Sequence, residues 1–142
     1  MEDYLAGTTE NQKILDRFIE SMSNLDADRL SAVTDEGLVF TIMGSGAAAG
    51  VKSKGDMLGA YGAMKRVFPA GVQARVQETL GSGNRIVCRV ECRAQTFDGV
   101  PYINNLCLFL TIEGGKITQA VEYADIQAVA DVVGPAMERL GG

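Results

Sequence analysis

The run from Val100 to Asp125 leaves this chain few ways to fold. It reads Val-Pro-Tyr-Ile-Asn-Asn-Leu-Cys-Leu-Phe-Leu-Thr-Ile, then Glu-Gly-Gly, then Lys-Ile-Thr-Gln-Ala-Val-Glu-Tyr-Ala-Asp. The first part, to Ile112, is apolar and rich in β-branched and aromatic side chains, as buried strands are. Glu113-Gly114-Gly115 offers the positive-φ positions of a tight hairpin. Lys116 to Tyr123 returns as a second strand. Its one carboxylate, Glu122, stands near the strand's end, and fold and function both turn on where it points.

Upstream, Thr9 and Gln12 have the spacing of a capping box. Ile14, Leu15, Phe18, Ile19 and Met22 then recur at helical spacing and form a core-facing stripe. Asp26 can cap a second, short helix bearing Leu30 and Val33. Gly37 to Met43 reads as a strand. Gly44 to Gly50 is a glycine- and alanine-rich connection that fits neither G-x-G-x-x-G nor a Walker A loop, so it reads as a flap or a plain link. A third helix runs from about Ser53 to Phe68, ended by Pro69. Its inner face carries Met57, Leu58, Tyr61, Met64 and Phe68. Gly55, Gly59 and Gly62 point to close packing on the sheet or to local mobility.

Strands follow over Val72 to Leu80 and Arg85 to Phe97, separated by the Gly81–Asn84 turn, with Asp98-Gly99 as the next hairpin signal. Asp125 can cap a last helix bearing Ile126, Val129, Ala130 and Val133, which Gly134-Pro135 interrupts. The 142 residues suit one α+β domain. In it, a strongly curved, mostly antiparallel sheet wraps around three N-terminal helices and forms a cone with a central pocket. Residues 1–8 are expected as a flexible N-terminus, and 134–142 as a tail.

Several function classes drop out. A net charge of −5 argues against a nucleic-acid or anionic-membrane surface. No apolar run has the length of a membrane helix, and the first ten residues lack the pattern of a signal peptide, so a cytoplasmic protein is expected. The chain has no histidine, which removes Ser-His-Asp and Cys-His machinery and imidazole-ligated metals. Cys88, Cys92 and Cys107 read as reduced, buried side chains rather than ligands. No metal and no cofactor is expected. Protons must be moved by carboxylates, arginines, tyrosines or the substrate.

Period 2 splits the Arg85–Phe97 strand into an apolar face (Ile86, Cys88, Val90, Cys92, Ala94) and a charged one (Val87, Arg89, Glu91, Arg93, Gln95, Phe97). Either the charged face lies in water, or it lines the pocket and meets Glu122 while the apolar face packs on a second subunit. The second arrangement would bury charge, which is tolerated mainly for function.

The layout resembles the nuclear-transport-factor-2-like superfamily, which includes SnoaL-like polyketide cyclases, ketosteroid isomerases and limonene-epoxide hydrolases. The resemblance spans residues 9–133. It is most specific in EGGKITQAVEYAD, similar to the superfamily's closing dGkI…eYfD signature. It implies the cone fold, an apolar cavity, a small-molecule substrate and a homodimer. Among its members the sequence is most similar to limonene-epoxide hydrolase, whose Arg-x-Asp pair matches Arg89-Val90-Glu91 and whose later Asp matches Glu122. That resemblance implies hydrolysis of an epoxide, with Glu122 as base, Arg89 as orienting group and Glu91 as acid. Arg93 and Asn104 would set substrate polarity, and Phe18, Phe40, Ile42, Leu106 and Tyr61 complete the expected substrate-binding set. Phe40 and Ile42 stand where that family holds its attacking water. The alternatives are a SnoaL-like cyclase, isomerase or lyase with one carboxylate acting alone, and a non-catalytic ligand-binding dimer module. Asp125 reads as a helix cap, and Tyr61, Tyr102 and Tyr123 as packing residues.

Overall fold

The computed structural model describes the backbone of residues 2–141 and the side chains of residues 9–141. Helix α1 (Glu2–Asn24) starts before Thr9, so the expected capping box gives way to continuous helix. Its stripe of Ile14, Leu15, Phe18, Ile19 and Met22 is buried throughout. Helix α2 (Ala27–Val33) follows, capped by Asp26, whose carboxylate accepts the Arg29 N–H.

Strand β1 (Thr34–Ile42) leads through residues 43–49 to β2 (Gly50–Ser53), a four-residue strand that the sequence reading missed. Ser53 and Asp56 form a capping box at the start of α3 (Lys54–Val67). Met57, Tyr61 and Phe68 are buried as expected. The α3 glycines do not mark close packing, because a Cβ at Gly59 or Gly62 would meet nothing within 4 Å.

Strands β3 (Gln73–Ser82), β4 (Arg85–Gln95), β5 (Pro101–Glu113) and β6 (Lys116–Tyr123) form the meander. Gly114 and Gly115 take φ values of 57° and 76°, as the β5–β6 hairpin requires. The six strands lie in one sheet in the order β2-β1-β6-β5-β4-β3. All neighbours are antiparallel except β1 and β6, which run parallel with Val39 beside Gln119. Register shifts in the β3–β4 and β5–β6 ladders mark irregularities of the kind that bend a strand and sharpen its twist. The curved sheet stays unclosed and wraps its inner face around the helices.

The chain closes with α4 (Ile126–Ala128), a π-helical turn over Val129–Val133 and α5 (Gly134–Gly141). Asp125 caps α4 by accepting the Ala128 N–H. Gly134-Pro135 was expected to interrupt this helix, but the helix continues through a widened turn. Pro135 cannot donate to a carbonyl four residues back, and the Gly134 N–H bonds the Val129 carbonyl, five residues back. Arg139 in α5 forms a bidentate pair with Asp98 in the β4–β5 turn, at 2.5 and 2.9 Å.

One buried cation stitches the N-terminal elements together. Lys54 donates to the carbonyls of Ser31 and Thr34, each at 2.9 Å, and pairs at 3.0 Å with Glu36. Glu36 is almost fully exposed, so that ion pair contributes little. The carbonyls matter more, since an unpaired buried acceptor costs about 1–3 kcal/mol. Lys54→Met should therefore lower unfolding stability by about 2 kcal/mol in urea titrations. An unchanged midpoint would show that water replaces the ammonium at no cost.

Candidate active site

The sheet's inner face, α1, α3 and the C-terminal helix enclose a cavity of about 700 Å³. Its wall is mostly apolar, from Phe18 and Met22 on α1 to Val129 and Val133 on the π turn. Gly46, Ala47 and Ala48 of the glycine-rich connection reach it, as a flap beside a pocket would. Phe40, Ile42, Leu106, Tyr61 and Asn104 also line it. All were expected at a pocket.

The charged face of β4 does not line it. Cys88, Val90 and Cys92 turn inward and are buried, so Arg89, Glu91 and Arg93 alternate outward. Arg89 pairs with Glu78 at 3.3 Å and Arg93 with Glu91 at 2.8 Å. The Arg93 guanidinium holds the Glu91 carboxyl below its usual range. The expected catalytic roles of Arg89 and Glu91, and the substrate-binding role of Arg93, are thus corrected to ion pairing on the outer face. The physical reason is the cost of dehydrating three charges in an apolar cavity. The expected argument for a dimer lapses with them, since the apolar β4 face is covered by this chain's own core.

Glu122 does reach the cavity. It lies on β6 between Ile42 of β1 and Leu108 of β5. Its backbone carbonyl accepts the Met43 N–H at 2.9 Å, which fixes the strand end. No hydrogen-bond donor or cation reaches its carboxyl group among the described residues. Burial in this apolar wall pushes the carboxyl up to about 7. Its charge in turn helps raise Tyr61, Tyr102 and Cys92. Cys92 is pushed to about 12, chiefly by burial, and stays a neutral thiol rather than a nucleophile. No three His, Cys, Asp or Glu side chains converge as metal ligands would among the described residues.

Asn104 is buried and engaged at both ends of its amide. Its Oδ1 accepts the Asp125 N–H at 2.9 Å. Its Nδ2 donates to the Asp125 carbonyl at 3.1 Å and to the Tyr102 hydroxyl at 2.8 Å. The carboxamide therefore clamps β5 to the cap of α4. Tyr102 also lines the cavity, with its ring 5.1 Å from that of Phe68. The sequence reading gave Tyr102 only a packing role. The available signal was that Tyr102 and Asn104 share the inner face with Leu106, Leu108 and Leu110, two polar groups on an apolar stripe.

Residues 15–120 match the family model for the SnoaL-like domain. The chain belongs to the SnoaL-like family. Its fold is shared with NTF2-like proteins of known structure. No curated protein matches this SnoaL-like chain in sequence. Solved structures share its fold at low identity. IdmH of Streptomyces antibioticus, a putative polyketide cyclase, is 18% identical with a TM-score of 0.70, over 87% of this chain and 97% of that one. PrhC of Penicillium brasilianum is 14% identical with a TM-score of 0.81, over 93% and 91%. An NTF2-like protein of Burkholderia xenovorans is 20% identical with a TM-score of 0.68, over 87% and 95%. No helix among the described residues of this SnoaL-like protein is long and apolar enough to cross a membrane.

Proposed function

We propose that this protein is a small-molecule enzyme of the SnoaL type, in which Glu122 alone moves a proton on a largely apolar substrate. The reaction class is isomerisation or ring closure through an enol or enolate. The observation that carries this reading is the lone carboxyl of Glu122, set in an apolar cavity without a hydrogen-bond partner among the described residues. Such a group, poised near neutral pH, is suited to take a proton from carbon and return it. Water addition to an epoxide draws less support, because Arg89 and Glu91, its expected partners, face away from the cavity.

The test is deuterium exchange from heavy water into the α-carbon of a cyclic ketone, followed by NMR. Exchange should be catalysed by the protein and should rise through about pH 7 to a plateau, as Glu122 becomes the free base. Rates no higher than buffer alone across the ketone panel, with the ligands shown to bind, would leave a binding module instead. Solvent-labelled oxygen appearing in the product of an epoxide panel would favour hydrolysis.

A further inference from the structure

We propose that the Tyr102 hydroxyl is a hydrogen-bond donor aimed into the cavity, and that it selects ligands bearing a carbonyl or enol oxygen. The argument starts from a direction. A backbone N–H can only donate, so the Asp125 N–H fixes which end of the Asn104 amide is oxygen. The other end is then NH₂. One of its hydrogens goes to the Asp125 carbonyl and one to the Tyr102 oxygen. Tyr102 must therefore accept from Asn104, and its own proton cannot point back along that bond. No acceptor for that proton lies within hydrogen-bonding distance among the described residues. Tyr102 is 6% exposed and lines the cavity, so an acceptor for that proton has to come from what the cavity holds.

A buried hydroxyl proton without a partner is costly, and a ligand oxygen in the cavity would relieve it. Burial raises the phenol to about 12, so it keeps its proton at neutral pH. Asn104 is then a positioning residue. It has no hydrogen left to donate to a ligand, since both its amide hydrogens are committed. It turns the Tyr102 proton toward the cavity. A substrate would present an acidic C–H to Glu122 and its adjoining carbonyl oxygen to Tyr102. The ligand class deepens the proposed function and rests on the cavity being the active site.

The probes are 1-indanone and indane, which differ by one carbonyl oxygen that can only accept. The wild-type protein should prefer 1-indanone by about tenfold in calorimetric titration. The infrared carbonyl stretch of bound 1-indanone should move to lower frequency. Tyr102→Phe keeps the ring against Phe68 and should lose both the preference and the shift, with indane affinity unchanged. Asn104→Asp should also lose the shift while keeping the tyrosine, because a carboxylate would draw the Tyr102 proton away from the cavity. Glu122→Gln should keep both signals and lose only deuterium exchange. A preference and shift that persist in Tyr102→Phe overturn the assignment. A shift that survives Asn104→Asp overturns the directional role of Asn104. Active exchange with no wild-type preference would sink the Tyr102 proposal and leave the Glu122 reading standing.

Discussion

Glu122→Gln is expected to move activity and stability in opposite directions. Its carboxyl group titrates at about 7 in the folded protein against an ordinary 4.5. The folded state thus holds that proton more tightly than the unfolded chain does. Below pH 4.5 both states are protonated and the group imposes no electrostatic penalty. As pH rises toward 7 the unfolded chain ionises first, and folding must increasingly keep the group neutral or bury its charge. The interval from 4.5 to about 7 corresponds to about 3 kcal/mol. The variant should therefore gain about 3 kcal/mol over wild type between pH 4 and pH 8 in urea denaturation. Whatever the glutamine amide costs in the same pocket is a pH-independent offset. Exchange catalysis should fall by about 10²–10⁴-fold, the usual contribution of a positioned base. A stability difference that stays flat with pH would mean the carboxyl is solvated after all.

Gly71→Ala should cost about 2–5 kcal/mol of stability, measured by thermal or urea unfolding. Two effects combine there. The φ of Gly71 is +82°, a region where an L side chain is strained by about 1–2 kcal/mol. A Cβ would also lie 2.3 Å from the Ser23 carbonyl oxygen, a backbone atom that cannot step aside. The neighbouring Val72 N–H bonds that same oxygen at 2.8 Å, so the α3–β3 connection is pressed onto the end of α1. Overpacking of this kind typically costs a further 1–3 kcal/mol. Gly83→Ala is the matched control. Its φ is +60° but its Cβ direction is open, so only the strain should appear. Equal losses in the two variants would show that the Ser23 contact relaxes freely.

Much of the fold was legible because local chemistry and packing agree. The β5–β6 hairpin, the β6 boundaries, the α1 stripe and the Asp26 and Asp125 caps follow from side-chain pattern and turn chemistry alone. The facing of β4 was harder. Period 2 separates Arg89, Glu91 and Arg93 from Cys88, Val90 and Cys92, but does not say which set meets the helices. Hydration decided it, and the charges stayed outside. The match to the hydrolase's Arg-x-Asp pair was a match of residue type without a match of facing. Glu122 was legible as the one carboxylate of β6, near the strand's end. The role of Tyr102 depends on a bond from Asn104 and on the direction of one amide, which no spacing encodes. Strand β2 has only four residues and borrows its pairing from β1, so little in its own sequence announced it.

The parallel pairing of β1 with β6 also sets when the cavity can exist. It joins residues from the first third of the chain to residues from its last quarter. Loop closure over so long a separation is slow and is repaid only when the strands finally meet. Glu122 sits on that seam, opposite Ile42, and the helix that completes the wall follows it in sequence. During synthesis, β3 to β5 and the N-terminal helices can therefore collapse before the acid has a pocket to enter. A ribosome-bound chain stalled before β6 would expose an apolar inner face without its reactive group. The cavity and the carboxyl group in its wall are late products of folding.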